Sequence, residues 1–258
     1  MISVSADATH EAFIGPLRLL WKTLRMSGLL LMAVLLALPT PLLGRRHMSR
    51  IVRWWHGRLL RVLNIRLQVH GTMPAEPMLI VTNHTTWLDI VILAHVFDGV
   101  FISKAEVGRW PIIGVYARAI GTLLLQRGAH ETDALRRQIQ HRFAAGHSVV
   151  LFPEGTITGN FLPQRFHARL FAAAIDGQHA VLPVALHYRD THTPTDEQHP
   201  LVPWVKTPLL TNFSNLFRLP GLQVDISICA PIASKTHNRR SLADASREAV
   251  CHALSGSS

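Results

Sequence analysis

Met78-Leu79-Ile80-Val81-Thr82-Asn83-His84-Thr85-Thr86-Trp87-Leu88-Asp89 is the stretch on which the reading of this chain turns. Its apolar opening, Met78 to Val81, predicts a short buried strand. His84 then falls at the C-terminal end of that strand, and α/β sheets place their sites at such ends. A helix beginning near Trp87 folds the Asp89 carboxylate back towards the imidazole. A carboxylate on one ring nitrogen fixes the tautomer and leaves the other nitrogen free to accept a hydroxyl proton. In a chain with 16 histidines a lone H-x4-D pair is a weak signal. The plainer reading, a helix-capping histidine beside an unrelated aspartate, yields only if the surroundings support the chemical one.

Outward from this stretch the pattern alternates between strands and helices. Ile65, Leu67 and Val69 alternate as a strand, and Ile90 to Phe97 reads as a helix. Val100 to Ser103 and Leu123 to Leu125 are short strands separated by a helical stretch around Ile112 to Ile120. Glu131 to Ala145 places Leu135, Ile139 and Phe143 on one face, with Gly146 as its stop. Ser148 to Phe152 and Ala180 to Leu186 are apolar strand-like runs, Val224 to Ile228 alternates, and Cys251 sits in a terminal helix. The expected fold class is α/β, a mixed, largely parallel sheet flanked by helices. Thr191 to His199 reads as a polar loop and Ser255 to Ser258 as a frayed tail.

Composition says what the sheet is attached to. A chain of 258 residues buries one substantial core, and 48% hydrophobic with 16% charged content is apolar for a soluble enzyme. Ten Lys/Arg face only Asp7 and Glu11 before residue 67, so that segment carries +8 of the net +10. These charges flank the apolar stretch Met26 to Leu43, which suits anionic lipid and has no use in binding nucleic acid. Pro39 and Pro41 should end the first helix near Leu38. The apolar core from Met26 to Leu38 is then about 20 Å long, short of the ~30 Å hydrocarbon thickness. Further on, Ile51, Trp55, Leu59 and Val62/Leu63 recur at helical spacing, with Trp54 and Trp55 among arginines as in a headgroup region. We therefore expect an N-terminal membrane-embedded helical hairpin in residues 1–63 and a catalytic domain in 64–258. Cys229 and Cys251 show neither metal spacing nor a disulfide framework, and fit a reducing, cytoplasmic setting.

Two more blocks carry chemistry. Phe152-Pro153-Glu154-Gly155-Thr156 follows the strand Ser148 to Leu151 and brings a carboxylate, a glycine and a hydroxyl to the same rim; Pro and Gly by themselves would explain a tight turn there. Phe101-Ile102-Ser103-Lys104-Ala105-Glu106 leads through Trp110-Pro111-Ile112-Ile113-Gly114 to Gly121-Thr122-Leu123-Leu124-Leu125-Gln126-Arg127. Arg127 ends an apolar strand, where a guanidinium calls for an anion or a surface salt bridge.

In this order the blocks resemble the glycerolipid acyltransferase family of the 1-acylglycerol-3-phosphate O-acyltransferase type. N-H-T-T-W-L-D matches that family's H-x4-D motif, Lys104 to Gly114 and Gly121 to Arg127 its second motif, F-P-E-G-T its third, and Val181-Leu182-Pro183-Val184 its fourth. The resemblance covers about residues 50–190. It implies His84 and Asp89 as catalytic residues and Lys104, Arg127, Glu154, Gly155 and Thr156 as substrate-binding ones. It further implies acyl-CoA or acyl-carrier-protein as donor, a lysophospholipid acceptor, phosphatidic acid as product, no other cofactor and no metal. The setting implied is membrane lipid, at the cytoplasmic face of the inner membrane.

The residues support this independently of the resemblance. A thioester is already activated, so His84 need only deprotonate the acceptor hydroxyl and return the proton to the leaving thiolate. The chain lacks G-x-S-x-G, H-E-x-x-H, a P-loop and G-x-G-x-x-G. One position departs from the family: its third motif commonly reads E-G-T-R, and here Ile157 follows Thr156. Arg127 remains, and Arg165 or Arg169 could substitute, so 1-acylglycerol-3-phosphate is the first expectation for the acceptor. Lyso-ornithine lipid, whose acyltransferases would need a less basic third motif, is the alternative. A thioester hydrolase, a non-catalytic membrane scaffold and a nucleic-acid binder are more remote.

Overall fold

The computed structural model describes residues 14–37, 45–110, 114, 117–118, 121–125, 131–191 and 199–256. The prolines at 39 and 41 and Arg127 lie outside them, as do most of the expected helix around 112–120 and most of the loop 191–199.

Two helices come first, α1 (Pro16–Ala37) and α2 (Arg45–Val62). Asn64 (φ 57) turns the chain out of α2 in the left-handed conformation that asparagine tolerates. The α/β part then runs β1 (Ile65–His70), β2 (Leu79–Thr82), α3 (Leu88–Val96), β3 (Gly99–Lys104), β4 (Leu123–Leu125), α4 (Glu131–Ala144) and β5 (Ser148–Leu151). It continues with α5 (Ala172–Asp176), β6 (Val181–Asp190), α6 (Leu209–Arg218), β7 (Leu222–Ile228) and α7 (Arg239–Ser255). The described strands form one sheet in the order β1-β7-β6-β2-β5-β3-β4. Every pairing is parallel except β6 with β7, so the sheet is mixed and largely parallel, as expected.

The central strands β2 and β5 are buried at every residue because helices cover both faces. Side chains alternate across the pleat. Ile80, Leu182 and Val224 face a layer that includes Leu59, Leu88 and Ile92, while Leu79, Val81 and Val149 face Ile139, Phe143 and Leu242 on the other side. Full burial of each such side chain contributes ~1.5–3 kcal/mol.

Local signals end and start the helices. Gly146 (φ 77) stops α4 as expected: its N–H donates to Phe143 O and that of His147 to Arg142 O, a Schellman arrangement. Asn238 caps α7, accepting from the backbone of Arg240 and Ser241 in a capping box.

Helix α1 is described as far as Ala37, the expected proline stop lying outside the described residues, and it packs through Met26 and Leu29 into the same core as the sheet. The Trp55 indole N–H donates to Leu29 O at 3.1 Å, turning the ring inward and tying α2 to α1. The buried face of α2 includes Val52, His56, Leu59 and Leu60, with Leu63 just past its end. It is wider than the expected stripe, because α2 meets α1, α3 and β1 at once. Among the described residues no helix is long and apolar enough to cross a membrane.

Candidate active site

Strand β2 delivers His84 to the C-terminal rim of the sheet, and α3 begins at Leu88, close to the expected turn. Asp89, in the first turn of α3, is fully buried and accepts from His84 Nδ1 through Oδ2 at 2.8 Å. The same oxygen accepts the N–H groups of Thr85 and Thr86 at 2.7 and 2.9 Å. Its other oxygen, Oδ1, accepts from Tyr188 Oη at 2.5 Å. A carboxylate so heavily donated to is held in one rotamer and acts only as an acceptor. The contact selects the tautomer with its proton on Nδ1, in which Nε2 is the nitrogen left to accept a proton. The His84 side chain keeps 17% exposure, enough to meet a substrate. The Phe152 ring stacks on the imidazole with centroids 3.9 Å apart, which fixes the ring plane from one side.

The site rests on the neighbouring strands. The Asn83 side chain continues the ladder past the end of β2: its Nδ2 donates to Leu186 O and its Oδ1 accepts from Leu186 N–H, both at 2.9 Å. Glu154, after β5, is buried. Its Oε1 accepts the His84 N–H at 3.2 Å and its Oε2 the Gln164 N–H at 2.9 Å. Burial pushes its carboxyl above the usual range, while these two bonds and the nearby His84 pull the other way. Gly155 takes φ +71 at the turn that follows, a conformation glycine adopts without a Cβ clash.

The structure thus brings together His84, Asp89 and Glu154, with Gly155 and the exposed Thr156 on the adjoining turn. Lys104 is exposed at the end of β3, outside the hydrogen-bonded cluster. Arg165 and Arg169 are exposed on the segment between Glu154 and α5. Ile157 is half-buried in the same segment. Tyr188 and Asn83 are site residues that the sequence reading did not pick out. Asn83 had a signal, being a polar amide between an apolar strand and the histidine; Tyr188 had none, as an aromatic on an apolar strand.

The geometry can be set beside known proteins. The acyltransferase family model matches residues 66–187. A lyso-ornithine lipid O-acyltransferase of Pseudomonas aeruginosa is 36% identical over 252 residues, covering 93% of this chain and 95% of that protein. A 1-acyl-sn-glycerol-3-phosphate acyltransferase of Neisseria gonorrhoeae is 28% identical over 195 residues, covering 74% of this chain and 75% of that protein. The crystal structure of the 1-acyl-sn-glycerophosphate acyltransferase PlsC from Thermotoga maritima superposes with a TM-score of 0.68 at 17% identity, over 93% of this chain and 97% of that one, which shows a shared fold. With its H-x4-D pair hydrogen-bonded at the rim of that fold, and with a relative of this identity along nearly its whole length, the chain belongs to the acyltransferase family whose members acylate lysolipids.

Proposed function

We propose that the protein transfers a fatty acyl group from a thioester donor, acyl-CoA or acyl-carrier-protein, to the hydroxyl of lyso-ornithine lipid. The observation that carries this reading is the near full-length likeness at 36% identity to a protein of that name. Ile157 agrees with it. A phosphate-bearing acceptor gains from a guanidinium beside the Glu154-Gly155-Thr156 turn, and this chain offers an aliphatic side chain there. An ornithine headgroup balances its carboxylate with an ammonium, so it carries no net negative charge and gains less than a phosphate from a guanidinium at that point. The first expectation from sequence, 1-acylglycerol-3-phosphate as acceptor, accordingly takes second place.

In this reading His84 Nε2 takes the acceptor hydroxyl proton as the oxygen attacks the thioester carbonyl. Collapse of the tetrahedral intermediate forms the ester, breaks the C–S bond, and returns the proton from His84 to the departing sulfur. Asp89 stabilises the imidazolium between these steps, and its backbone and Tyr188 donors keep it in place. No covalent acyl-enzyme is required.

The reaction sits at a lipid surface. The outward face of α1 carries Leu17, Leu20, Trp21, Leu24 and Leu31, all exposed, with the Arg25 guanidinium over the Trp21 ring at 5.1 Å. On α2 the Arg58 guanidinium likewise lies over Trp54, which is exposed. Apolar side chains bracketed by arginine-covered tryptophans suit insertion into one leaflet of an anionic membrane at its cytoplasmic face.

A donor-by-acceptor panel on the purified, detergent-solubilised full-length protein tests the function. Acyl-CoA and acyl-carrier-protein thioesters are each offered with lyso-ornithine lipid, with 1-acylglycerol-3-phosphate and with no acceptor. Ester formation on lyso-ornithine lipid is expected. Acylation of the glycerophosphate with lyso-ornithine lipid ignored would overturn the acceptor assignment. Free fatty acid released equally with and without acceptor would make the enzyme a hydrolase.

A further inference from the structure

Arg247 stands on α7, far along the chain from the H-x4-D pair, yet it reaches the loop that follows β5. Its Nε donates to Pro163 O at 3.0 Å and to Gln164 O at 2.9 Å. The Pro163 carbonyl and the Gln164 N–H are two ends of one planar peptide unit, so fixing one fixes the other. That N–H donates to Glu154 Oε2, and Glu154 Oε1 accepts the N–H of His84. The same loop is closed at its base by the His167 N–H donating to Pro153 O at 2.9 Å. A continuous set of hydrogen bonds therefore runs from the guanidinium on α7, through one peptide plane and one buried carboxylate, to the main chain of the histidine.

Docking of α7 does not need this contact. Leu242, Val250 and Leu254 bury the helix against the sheet, and Asn238 caps its start. What Arg247 adds is orientation. Without a donor on its oxygen side the Pro163–Gln164 peptide keeps only one of its two anchors, and the Gln164 N–H is aimed less firmly at the Glu154 carboxylate across the base of the site.

We infer that Arg247 is a positioning residue for acyl transfer, acting through the Pro163–Gln164 peptide and Glu154 to set the main chain that carries His84. This rests on the reading of His84 as general base. An active His84→Ala protein would sink that reading, whereas the outcomes below bear on Arg247 only.

The test is a double-mutant cycle in the full-length enzyme with Arg247→Ala and Glu154→Gln, measuring kcat, acceptor KM and thermal unfolding. If the two residues act in one chain of contacts, their effects are not independent. Arg247→Ala is expected to lower kcat about tenfold with acceptor KM within about twofold, the mark of a misaligned reacting group rather than lost binding. The double variant is expected to be no slower than the worse single one. Asn238→Ala, which weakens the α7 cap without touching Arg247, is expected to lower Tm and leave kcat unchanged. Losses that multiply, wild-type kcat for Arg247→Ala, or an equal loss in Asn238→Ala would each overturn the inference. Should the alanine variant not fold, Arg247→Met, which keeps the stem but has no donor, takes its place in the cycle with the same expectations.

Discussion

Replacing Tyr188 by phenylalanine removes one oxygen atom from the protein and is expected to be felt in both stability and rate. The phenol is fully buried and donates to Asp89 Oδ1 at 2.5 Å, while the other carboxylate oxygen retains His84 Nδ1 and two backbone N–H groups. Burial, and then the Asp89 charge, push the Tyr188 hydroxyl well above its ordinary value, so it stays protonated and a donor throughout the working pH range. Leaving a buried, charged acceptor one donor short costs about 2 kcal/mol. For a domain of this size each kcal/mol lowers Tm by about 2–4 °C, which makes the expected drop about 4–8 °C. The tautomer of His84 is set at Oδ2 and survives, so the rate should fall only about tenfold, less than the 10²–10⁴-fold typical of losing a general base. Thermal unfolding and initial rates on solubilised enzyme measure both effects. Unchanged Tm and rate would refute the support role. A loss as deep as that of His84→Ala would instead make Tyr188 a reacting group.

His84→Ala should abolish transfer with the fold retained, and Asp89→Asn should be severely impaired, as seen in single-turnover acylation; turnover near wild type in the alanine protein would end the proposed mechanism. Lys22 on α1 is buried, donates to Leu219 O at 3.2 Å, and has its amine lowered to about 8 by burial. The folded state therefore releases this proton more readily than the unfolded one, so stability should rise as pH increases from about 8 towards the ordinary lysine value. Lys22→Met should lose that rise, and a Tm-against-pH curve identical to wild type would contradict it. Leu17→Glu with Leu20→Glu and Leu24→Glu places charges on exposed α1 positions, so the fold should persist while sedimentation with anionic liposomes is lost. Unchanged co-sedimentation would move the anchor elsewhere.

What could be read from the chain alone was whatever depends on neighbours in sequence. The continuous apolar runs of β2 and β5 announce strands buried on both faces. The repeat of Leu135, Ile139 and Phe143 with a glycine after it announces α4. The His84–Asp89 contact was legible because five residues spanning a strand end and a first helical turn bring two side chains together through local geometry. The four ordered motifs carried the family, and Ile157 marked the doubt over the acceptor.

Contacts between distant segments were not legible, since no periodicity encodes which strands become neighbours. Tyr188 reaches Asp89 only because β6 lies beside β2 in the sheet, 99 positions along the chain. Glu154, read as a substrate contact, has both oxygens on backbone N–H groups, because β5 flanks β2 on the other side. Trp55, read as a headgroup residue, turns inward because α1 folds over α2 and offers it a carbonyl. In each case the residue type states what bonds a side chain can make, and the strand order and helix packing decide which partner it meets.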